Sequence, residues 1–148
     1  MAGRVLLVED NPDDELLMKR ALAQGGFRAP IYVAHDGDLA VQYLSGSGLF
    51  SDRSRYPNPS HMFLDLNIPG TPGLEVLRWV RSEGPVRSLP VVVLTGSEAD
   101  RDLETARRLG ADGYLVKPSD PEGLAYVAKS LLDWVVLGRP PGYPVKSA

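Results

Sequence analysis

Short apolar runs alternate along the chain with longer segments in which apolar residues recur every three or four positions. The apolar runs lie at residues 5–8, 31–34, 62–64, 91–94 and 114–116. They do not alternate with polar residues, which is typical of strands buried on both faces of a parallel sheet. The longer segments have the period of amphipathic helices. The pattern predicts an α/β fold, a doubly wound five-stranded parallel sheet with helices on both faces.

Capping and breaking residues predict where the helices begin and end. Asn11 and Pro12 open the first helix, and Gly25 ends it. Ser97, followed three residues later by Asp100, is expected to form a capping box for the fourth helix. The other helices are predicted to begin at Asp36, Thr71 and Asp120, and the last is predicted to reach Gly138.

The composition is that of an ordinary globular domain. The chain has 148 residues, a formal net charge of −3, 43% hydrophobic residues and 24% charged residues. The absence of cysteine excludes disulfides, a thiolate nucleophile and Cys-ligated zinc. The slight acidity argues against binding nucleic acid through bulk charge. No apolar run is long enough for a secretory core or a membrane span, so we expect a cytoplasmic protein without membrane contact.

Two segments do not fit the strand–helix repeat. Residues 45–60 form a long connection rich in Ser, Gly, Pro and Arg, and connections of this length are usually functional or mobile. Residues 139–148 hold three of the 13 prolines and cannot extend the last helix. We therefore expect a domain at 1–138 followed by a Pro-rich C-terminal extension at 139–148.

Polar residues follow four of the five predicted strands. In parallel sheets of this class, ligands bind outside the carboxyl ends of the strands, which meet at one edge. The polar residues at those ends are Glu9, Asp10, Asp65, Thr95 and Lys117. The fold is expected to bring them together although they are far apart in the chain.

The three carboxylates of this set indicate a cation. Glu9, Asp10 and Asp65 would raise one another's pKa and cost stability if they stood together unpaired. A divalent cation offsets that repulsion, and oxygen ligands at an open site that keeps waters are what Mg²⁺ prefers. Each residue alone also has a simpler explanation: Glu9 and Asp10 as an acidic cap of the first helix, Asp65 as a turn residue.

Thr95 and Lys117 extend the chemistry from metal binding to phosphoryl transfer. The ammonium of Lys117 could pair with a carboxylate or with an anion bound beside it, and the hydroxyl of Thr95 could donate to the same anion. Acids, a metal, a hydroxyl and a lysine describe a site for phosphoryl transfer to a carboxylate. Asp65 is then the nucleophile, because the other acids are better placed as ligands.

Four segments resemble the receiver domain of two-component response regulators, of the chemotaxis-regulator type. They are VEDN at 8–11, LDLNIPG at 64–70, LTG at 94–96 and YLVKP at 114–118. The resemblance covers residues 3–138. It implies a flavodoxin-like sheet with strand order 2-1-3-4-5, and a chain that accepts a phosphoryl group from a sensor histidine kinase.

The resemblance also implies a role for each site residue. Asp65 is the phosphoacceptor, and Glu9 and Asp10 hold Mg²⁺ with it, while Asn67 supplies a backbone carbonyl to the metal. Lys117 contacts the phosphoryl group.

A second group of roles concerns the response to phosphorylation. Thr95 is implied to be the switch hydroxyl, and Tyr114 the switch aromatic that changes rotamer with it. Pro118 is implied to follow a cis peptide bond.

Further features are similar to the single-domain regulators that partner bacterial phytochromes. They are the long connection at 45–60, the Asn67-x-Pro69 sequence and the short C-terminal extension. The kinase partner is then expected to be a bacteriophytochrome, and the output a surface of the domain. One departure from the family is Pro72 before Gly73, where Asp-Gly is common, and we expect only a different start of the third helix.

The fifth predicted helix has two apolar stripes. Its core stripe is Leu124, Val127, Ala128, Leu131 and Val135, and a second stripe is Ala125, Leu132 and Val136. The second stripe indicates a homodimer near this helix, although a wide core-facing helix explains it equally well. Tyr126 and Trp134 are expected to be partly exposed in either case. The fourth helix has a thin apolar face, so we expect weak docking and movement on phosphorylation.

Three other functions fit parts of the same pattern. A small hydrolase with an aspartyl-phosphate intermediate usually has a second acid two residues after the nucleophile, where this chain has Asn67. A nucleotide- or flavin-binding module lacks its Gly-rich loop after the first strand. A receiver that serves only as an unphosphorylated scaffold would not need the complete acid, Thr and Lys set. We expect no enzymatic activity on an outside substrate.

Overall fold

The computed structural model describes residues 3–85 and 87–144. Its strands are Val5–Val8 (β1), Ile31–Ala34 (β2), His61–Leu64 (β3), Val91–Thr95 (β4) and Gly113–Val116 (β5). Its α-helices are Pro12–Gln24 (α1), Gly37–Ser45 (α2), Gly73–Ser82 (α3), Asp100–Arg108 (α4) and Pro121–Leu137 (α5), with a 3-10 turn at Gly48–Phe50. None of the helices among these residues has the length and apolarity that a bilayer crossing requires.

The five strands form one parallel sheet in the order β2-β1-β3-β4-β5, which confirms the predicted fold. The last residue of β1, Val8, is paired with the last residue of β3, Leu64. Farther along the sheet, Thr95 at the end of β4 is paired with Val116 at the end of β5. Because these strands stop together, the residues that follow them meet at one edge.

Both faces of the sheet are buried, as the unbroken apolar strands predict. Leu6 and Val8 point into a core closed by α2, α3 and α4. Val5 and Leu7 point into a second core closed by α1 and α5. The four residues of β1 are almost completely excluded from solvent. The central strand β1 is therefore held firmly from both sides, which fixes the residues that follow it at the carboxyl edge of the sheet.

The predicted cap of α1 is confirmed, but the capping box predicted for α4 is wrong. The Asn11 side chain accepts the backbone N–H groups of Asp13 and Asp14 at 2.9 and 3.1 Å. By contrast, α4 begins at Asp100 after Ala99, without a side-chain cap.

Strand β4 continues to Thr95, so Ser97 lies in the loop before α4. Its side chain does not cap the helix and has other hydrogen-bond partners. Its hydroxyl donates to Asp102 at 2.5 Å and accepts from the Ala99 N–H at 3.3 Å.

The long connection at 45–60 is anchored by aromatic packing. The ring of Tyr43 lies 4.9 Å from Phe50 and 6.1 Å from Tyr56, between centroids. The Tyr43 hydroxyl donates to the Pro57 carbonyl at 2.9 Å, and the Arg53 guanidinium donates to the carbonyls of Leu44 and Tyr56 at 2.9 and 3.0 Å. Because the connection leads into the amino end of β3, it lies at the sheet edge opposite the strand ends described above.

The segment after α5 returns to the sheet. Helix α5 ends at Leu137, and Gly138 adopts a left-handed conformation that turns the chain back. Gly142 then forms a parallel bridge with Gly113 of β5, and its carbonyl accepts the Tyr114 N–H at 2.7 Å. A Cβ on Gly113 would lie 2.9 Å from the ring of Pro141, so glycine is required for this approach. Residues 145–148 of the predicted extension lie outside the described residues.

The faces of α5 differ in part from the prediction. Trp134 is buried against His61 and Phe63, whereas partial exposure was expected, because the helix is rotated to place this side chain over β3. Tyr126 is exposed as expected. In the second stripe, Ala125 and Val136 are exposed, while Leu132 packs partly against the core.

The Lys117–Pro118 peptide bond is trans, since the described residues contain no cis peptide bond. The cis bond implied by the family resemblance is therefore wrong. The trans form is the lower in energy for a residue before proline. The Lys117 N–H also donates to the Thr95 carbonyl at 2.7 Å, which continues the ladder between β4 and β5 by one residue.

Candidate functional site

Three carboxylates meet at the carboxyl edge of the sheet. Glu9, Asp10 and Asp65 each place an oxygen within 4.8 Å of the other two. Glu9 is 3% exposed and Asp65 5% exposed, whereas Asp10 is open to solvent. The backbone N–H of Glu9 donates to the Ala34 carbonyl, and the backbone N–H of Asp65 donates to the Val8 carbonyl, both at 3.1 Å. These bonds extend the strand ladders, so the two buried carboxylates have fixed positions.

Asp65 is also held by the loop that follows it. The backbone N–H of Asn67 donates to Asp65 Oδ1 at 3.1 Å, and the Asn67 side chain is exposed. The first residue of α3, Gly73, has no room for a Cβ, which would lie 2.5 Å from the Asp65 carbonyl oxygen. Gly73 therefore lets α3 start in direct contact with the backbone of Asp65 and Leu66. The carbonyl role implied for Asn67 stays a prediction.

Lys117 joins the acids. Its ammonium lies 2.5 Å from Glu9 Oε1, 2.7 Å from Asp65 Oδ2 and 2.9 Å from Asp14 Oδ2. An ammonium has three N–H donors, and here each has one carboxylate partner. The position after β5 predicted that Lys117 would meet acids at this edge. The sequence pattern did not predict the contact with Asp14, although the first turn of α1 starts at the same edge.

Burial and pairing act on these charges in opposite directions. Burial is the largest effect on Glu9 and raises its pKa to about 7, although Lys117 acts against it. Burial lowers the pKa of Lys117, but the hydrogen bonds from Asp65, Glu9 and Asp14 outweigh it, so the net pKa is raised. The lysine is therefore charged, while the ionised form of Glu9 is costly. A bound cation would lower that cost.

The donor set fits a divalent metal ion. All three side chains offer carboxylate oxygen, and the exposed position of Asp10 leaves room for water ligands. Hard cations that keep part of their hydration shell take such ligands. Glu9, Asp10 and Asp65 are the side chains that could hold the ion, and it would take over the positive charge that Lys117 supplies to Glu9 and Asp65.

Thr95 and Tyr114 meet at the loop after β4. Thr95 is fully buried, and its hydroxyl accepts the Ser97 N–H at 3.3 Å. Tyr114 is also buried, and its hydroxyl donates to the Ser97 carbonyl at 3.0 Å. Ser97 thus links both residues through its backbone. A change at either side chain would act on the same loop.

Comparison with known proteins agrees with this geometry. Residues 5–129 match the response regulator receiver domain. The probable methanogenesis regulatory protein FilR2 of Methanothrix harundinacea is 37% identical, over 93% of this chain and 87% of FilR2. Response regulator Rcp1 of Synechocystis is 32% identical, over 76% of this chain and 75% of Rcp1. The chain spans about half, 52%, of the phosphate regulon transcriptional regulatory protein PhoB of Escherichia coli, to which it is 32% identical.

Solved structures give the same result. The phosphorylated cyanobacterial phytochrome response regulator RcpA superposes with a TM-score of 0.85 at 28% identity, covering 94% of this chain and 97% of RcpA. The Mn²⁺-bound form of Rcp1 superposes with a TM-score of 0.83 at 28% identity, covering 95% and 99%. The chain therefore belongs to the response regulator receiver domain family and is homologous to phytochrome response regulators.

Proposed function

We propose that this receiver is a phosphorylation switch in which Asp65 accepts a phosphoryl group from a sensor histidine kinase. The observation that supports the proposal best is the convergence of Glu9, Asp10 and Lys117 on the Asp65 carboxylate. Buried acids at such range, fixed by the strand ladders, are costly unless positive charge offsets them, and the same positive charge from Lys117 and a metal ion can bind a phosphoryl group. The switch acts by its change of surface, and no activity on an outside substrate is assigned to it.

In the transfer step, an oxygen of Asp65 attacks phosphorus and the bond from phosphorus to the donor nitrogen breaks. The product is an acyl phosphate on Asp65. Mg²⁺ bound by Glu9, Asp10 and Asp65 would neutralise charge on the phosphoryl oxygens. Lys117 releases Asp65 Oδ2 and donates to a phosphoryl oxygen instead. The backbone N–H of Asn67 donates to Asp65 Oδ1 and so keeps the carboxylate oriented.

The signal is proposed to leave the site through Thr95 and Tyr114. The Thr95 hydroxyl donates to the phosphoryl group by turning toward it, and this rotation moves its oxygen away from the Ser97 N–H that it accepts at 3.3 Å. Tyr114 bonds the carbonyl of the same Ser97, so its rotamer follows the movement of the loop. Helix α4 begins three residues later, and its buried residues are only Leu103 and Ala106. Because this buried face is small, we expect α4 to move when the loop moves.

The kinase partner is proposed to carry a phytochrome photosensor. The support is the homology to RcpA and Rcp1 together with the 45–60 connection and the Asn67-x-Pro69 sequence. We also propose that residues 1–138 are the receiver unit and 139–148 an extension of it, because α5 ends at Leu137 and Gly138 reverses the chain. The absence of nucleic-acid contact and the cytoplasmic location stay predictions.

We further propose that two copies associate through α5. Ala125 and Val136 of its second stripe are exposed, and Val136 is 67% exposed. Ala125 and Leu132 also line an apolar groove of about 480 Å³ between α1 and α5. Exposed apolar side chains on one helix face favour burial against a second copy.

Phosphoryl uptake tests the assignment of Asp65. The wild-type chain is expected to take up label from a small phosphodonor only when Mg²⁺ is present, and Asp65→Asn is expected to take up none. Asp13→Asn is the matched control, since Asp13 is an exposed acid in the first turn of α1 that does not pair with Lys117, and its substitution should leave labelling unchanged. Thermal unfolding of each variant checks that it is folded. Equal labelling of Asp65→Asn and wild type would refute the assignment.

A further inference from the structure

Lys117 has one partner that is not part of the metal cluster. Asp14 lies in the first turn of α1, and its Oδ2 accepts from the Lys117 ammonium at 2.9 Å. Its side chain is 40% exposed, so it stands at the rim of the site, whereas Glu9 and Asp65 stand at the buried floor. Asp14 is not among the carboxylates that converge closely enough to hold one ion. The metal and the lysine therefore compete for Glu9 and Asp65, but not for Asp14.

This competition sets a requirement on Lys117, given the function proposed above. A cation on Glu9 and Asp65 takes two of the three carboxylates from the ammonium. The lysine side chain is largely buried, with 18% exposed, and a buried ammonium without partners is costly. A partner that remains in place lowers this cost. Asp14 is the partner within the described residues that meets the condition.

We propose that Asp14 is a positioning residue for Lys117, which it holds at the rim of the site when a divalent cation occupies Glu9 and Asp65. Held there, the ammonium stays beside the position at which the phosphoryl group arrives. Asp14 itself touches neither the metal nor the phosphoryl group. Its backbone is fixed independently of this role, because its N–H donates to the Asn11 cap at 3.1 Å.

The neighbouring Asp13 separates this role from a general effect of negative charge. Asp13 lies in the same helical turn, its N–H donates to the same Asn11 cap, and its side chain is exposed. Within the described residues its carboxylate makes no ion pair. Both acids interact with the helix dipole and with a nearby cation through solvent, so Asp13→Asn is a matched control for Asp14→Asn.

Calorimetric titration of the full chain with Mg²⁺ alone tests the proposal. Asp14→Asn is expected to weaken Mg²⁺ binding about fivefold, as for loss of one partly exposed ion pair, and Asp13→Asn less than about twofold. In a Lys117→Met background, which should bind Mg²⁺ more tightly than wild type, the two Asn substitutions are expected to have equal, small effects. Dependence on Lys117 is the result that a merely structural role of Asp14 would not produce.

Two outcomes overturn the proposal: equal weakening by Asp13→Asn and Asp14→Asn, or an Asp14→Asn effect that persists in the Lys117→Met background. Unfolding in the presence of a chelator shows whether each variant is folded before it is titrated. A wild-type chain that binds no Mg²⁺ would instead contradict the proposed function. The two failures are therefore distinguishable.

Discussion

At the scale of single residues, His61 is an ionisable group that the fold keeps neutral away from the phosphorylation site. It opens β3, and its ring stands edge-on to Trp134 with centroids 4.6 Å apart. Its Nδ1 lies 2.8 Å from the Ser60 hydroxyl. Burial lowers the pKa of His61 below its usual 6.5, and the negative charge of Asp112 only partly counteracts this. Protonation of this ring therefore opposes folding.

The consequence is a loss of stability in mild acid. A His with a lowered folded-state pKa binds its proton more readily when unfolded, so its contribution is complete above pH 6.5 and is lost as the pH falls below that value. Urea unfolding at pH 7 and pH 5 is expected to show a larger drop for wild type than for His61→Gln. Trp134 fluorescence is expected to decrease over the same pH range only in wild type. An identical pH dependence of both proteins would exclude this role.

Residue identities at the site followed from the sequence, but some of their partners did not. Glu9, Asp65 and Lys117 lie directly after buried strands and Thr95 is the last residue of one, and the parallel sheet rule places such residues at one edge. The bond between Lys117 and Asp14 depends on where the first turn of α1 points its side chains. Periodicity gives the buried face of a helix only roughly, and for this reason it also misplaced Trp134.

At the scale of elements, the returning segment 141–144 packs against the β5 edge of the sheet. Unpaired strand edges invite association with other chains, and the bridge from Gly142 to Gly113 covers part of this edge. Tyr143 fastens the segment. Its hydroxyl donates to the Ala111 carbonyl, and its ring lies 4.5 Å from the Arg107 guanidinium of α4. The segment therefore joins α4 to the end of the sheet.

Removing this fastening is expected to cost stability. Tyr143→Ala loses a hydrogen bond and a cation–π contact, about 1–2 kcal/mol of unfolding free energy, and Tyr143→Phe should lose roughly half of that. Tyr126→Ala is the control, because Tyr126 is exposed and its loss should change stability by less than about 0.5 kcal/mol. Denaturant titration measures all three. A Tyr143→Ala variant as stable as Tyr126→Ala would show that the segment contributes nothing.

Element order was predictable because apolar strands and capped helices alternate clearly. The start of α4 was not, since Ser97 has a capping residue's identity but bonds Asp102 from the loop. Nor did the sequence predict the docking of 141–144, because prolines and glycines show that a helix has ended and not where the chain goes afterwards.

At the scale of the whole molecule, the proposed association through α5 makes a concentration-dependent prediction. Wild-type chain is expected to sediment as a dimer at high concentration, and Val136→Glu is expected to weaken association about tenfold or more by placing a charge in the apolar contact. The fold of the variant should be preserved, because Val136 is exposed.

Leu49→Glu provides the matched control for this measurement. Leu49 is also exposed and apolar, but it lies in the 3-10 turn of the 45–60 connection and not on α5. Its substitution should leave sedimentation unchanged. A wild type that stays monomeric at every concentration, or equal behaviour of both variants, would contradict the α5 dimer.

The position of the 45–60 connection has a practical consequence. It is pinned by Tyr43 and Arg53 at the margin of the sheet remote from the acids, and Leu49 projects outward from it. A fluorophore or surface tether attached at this point would stand away from the edge of the sheet at which the acids and Lys117 meet. Position 49 is therefore a suitable labelling site for following phosphorylation, because a label there does not contact the phosphorylation site.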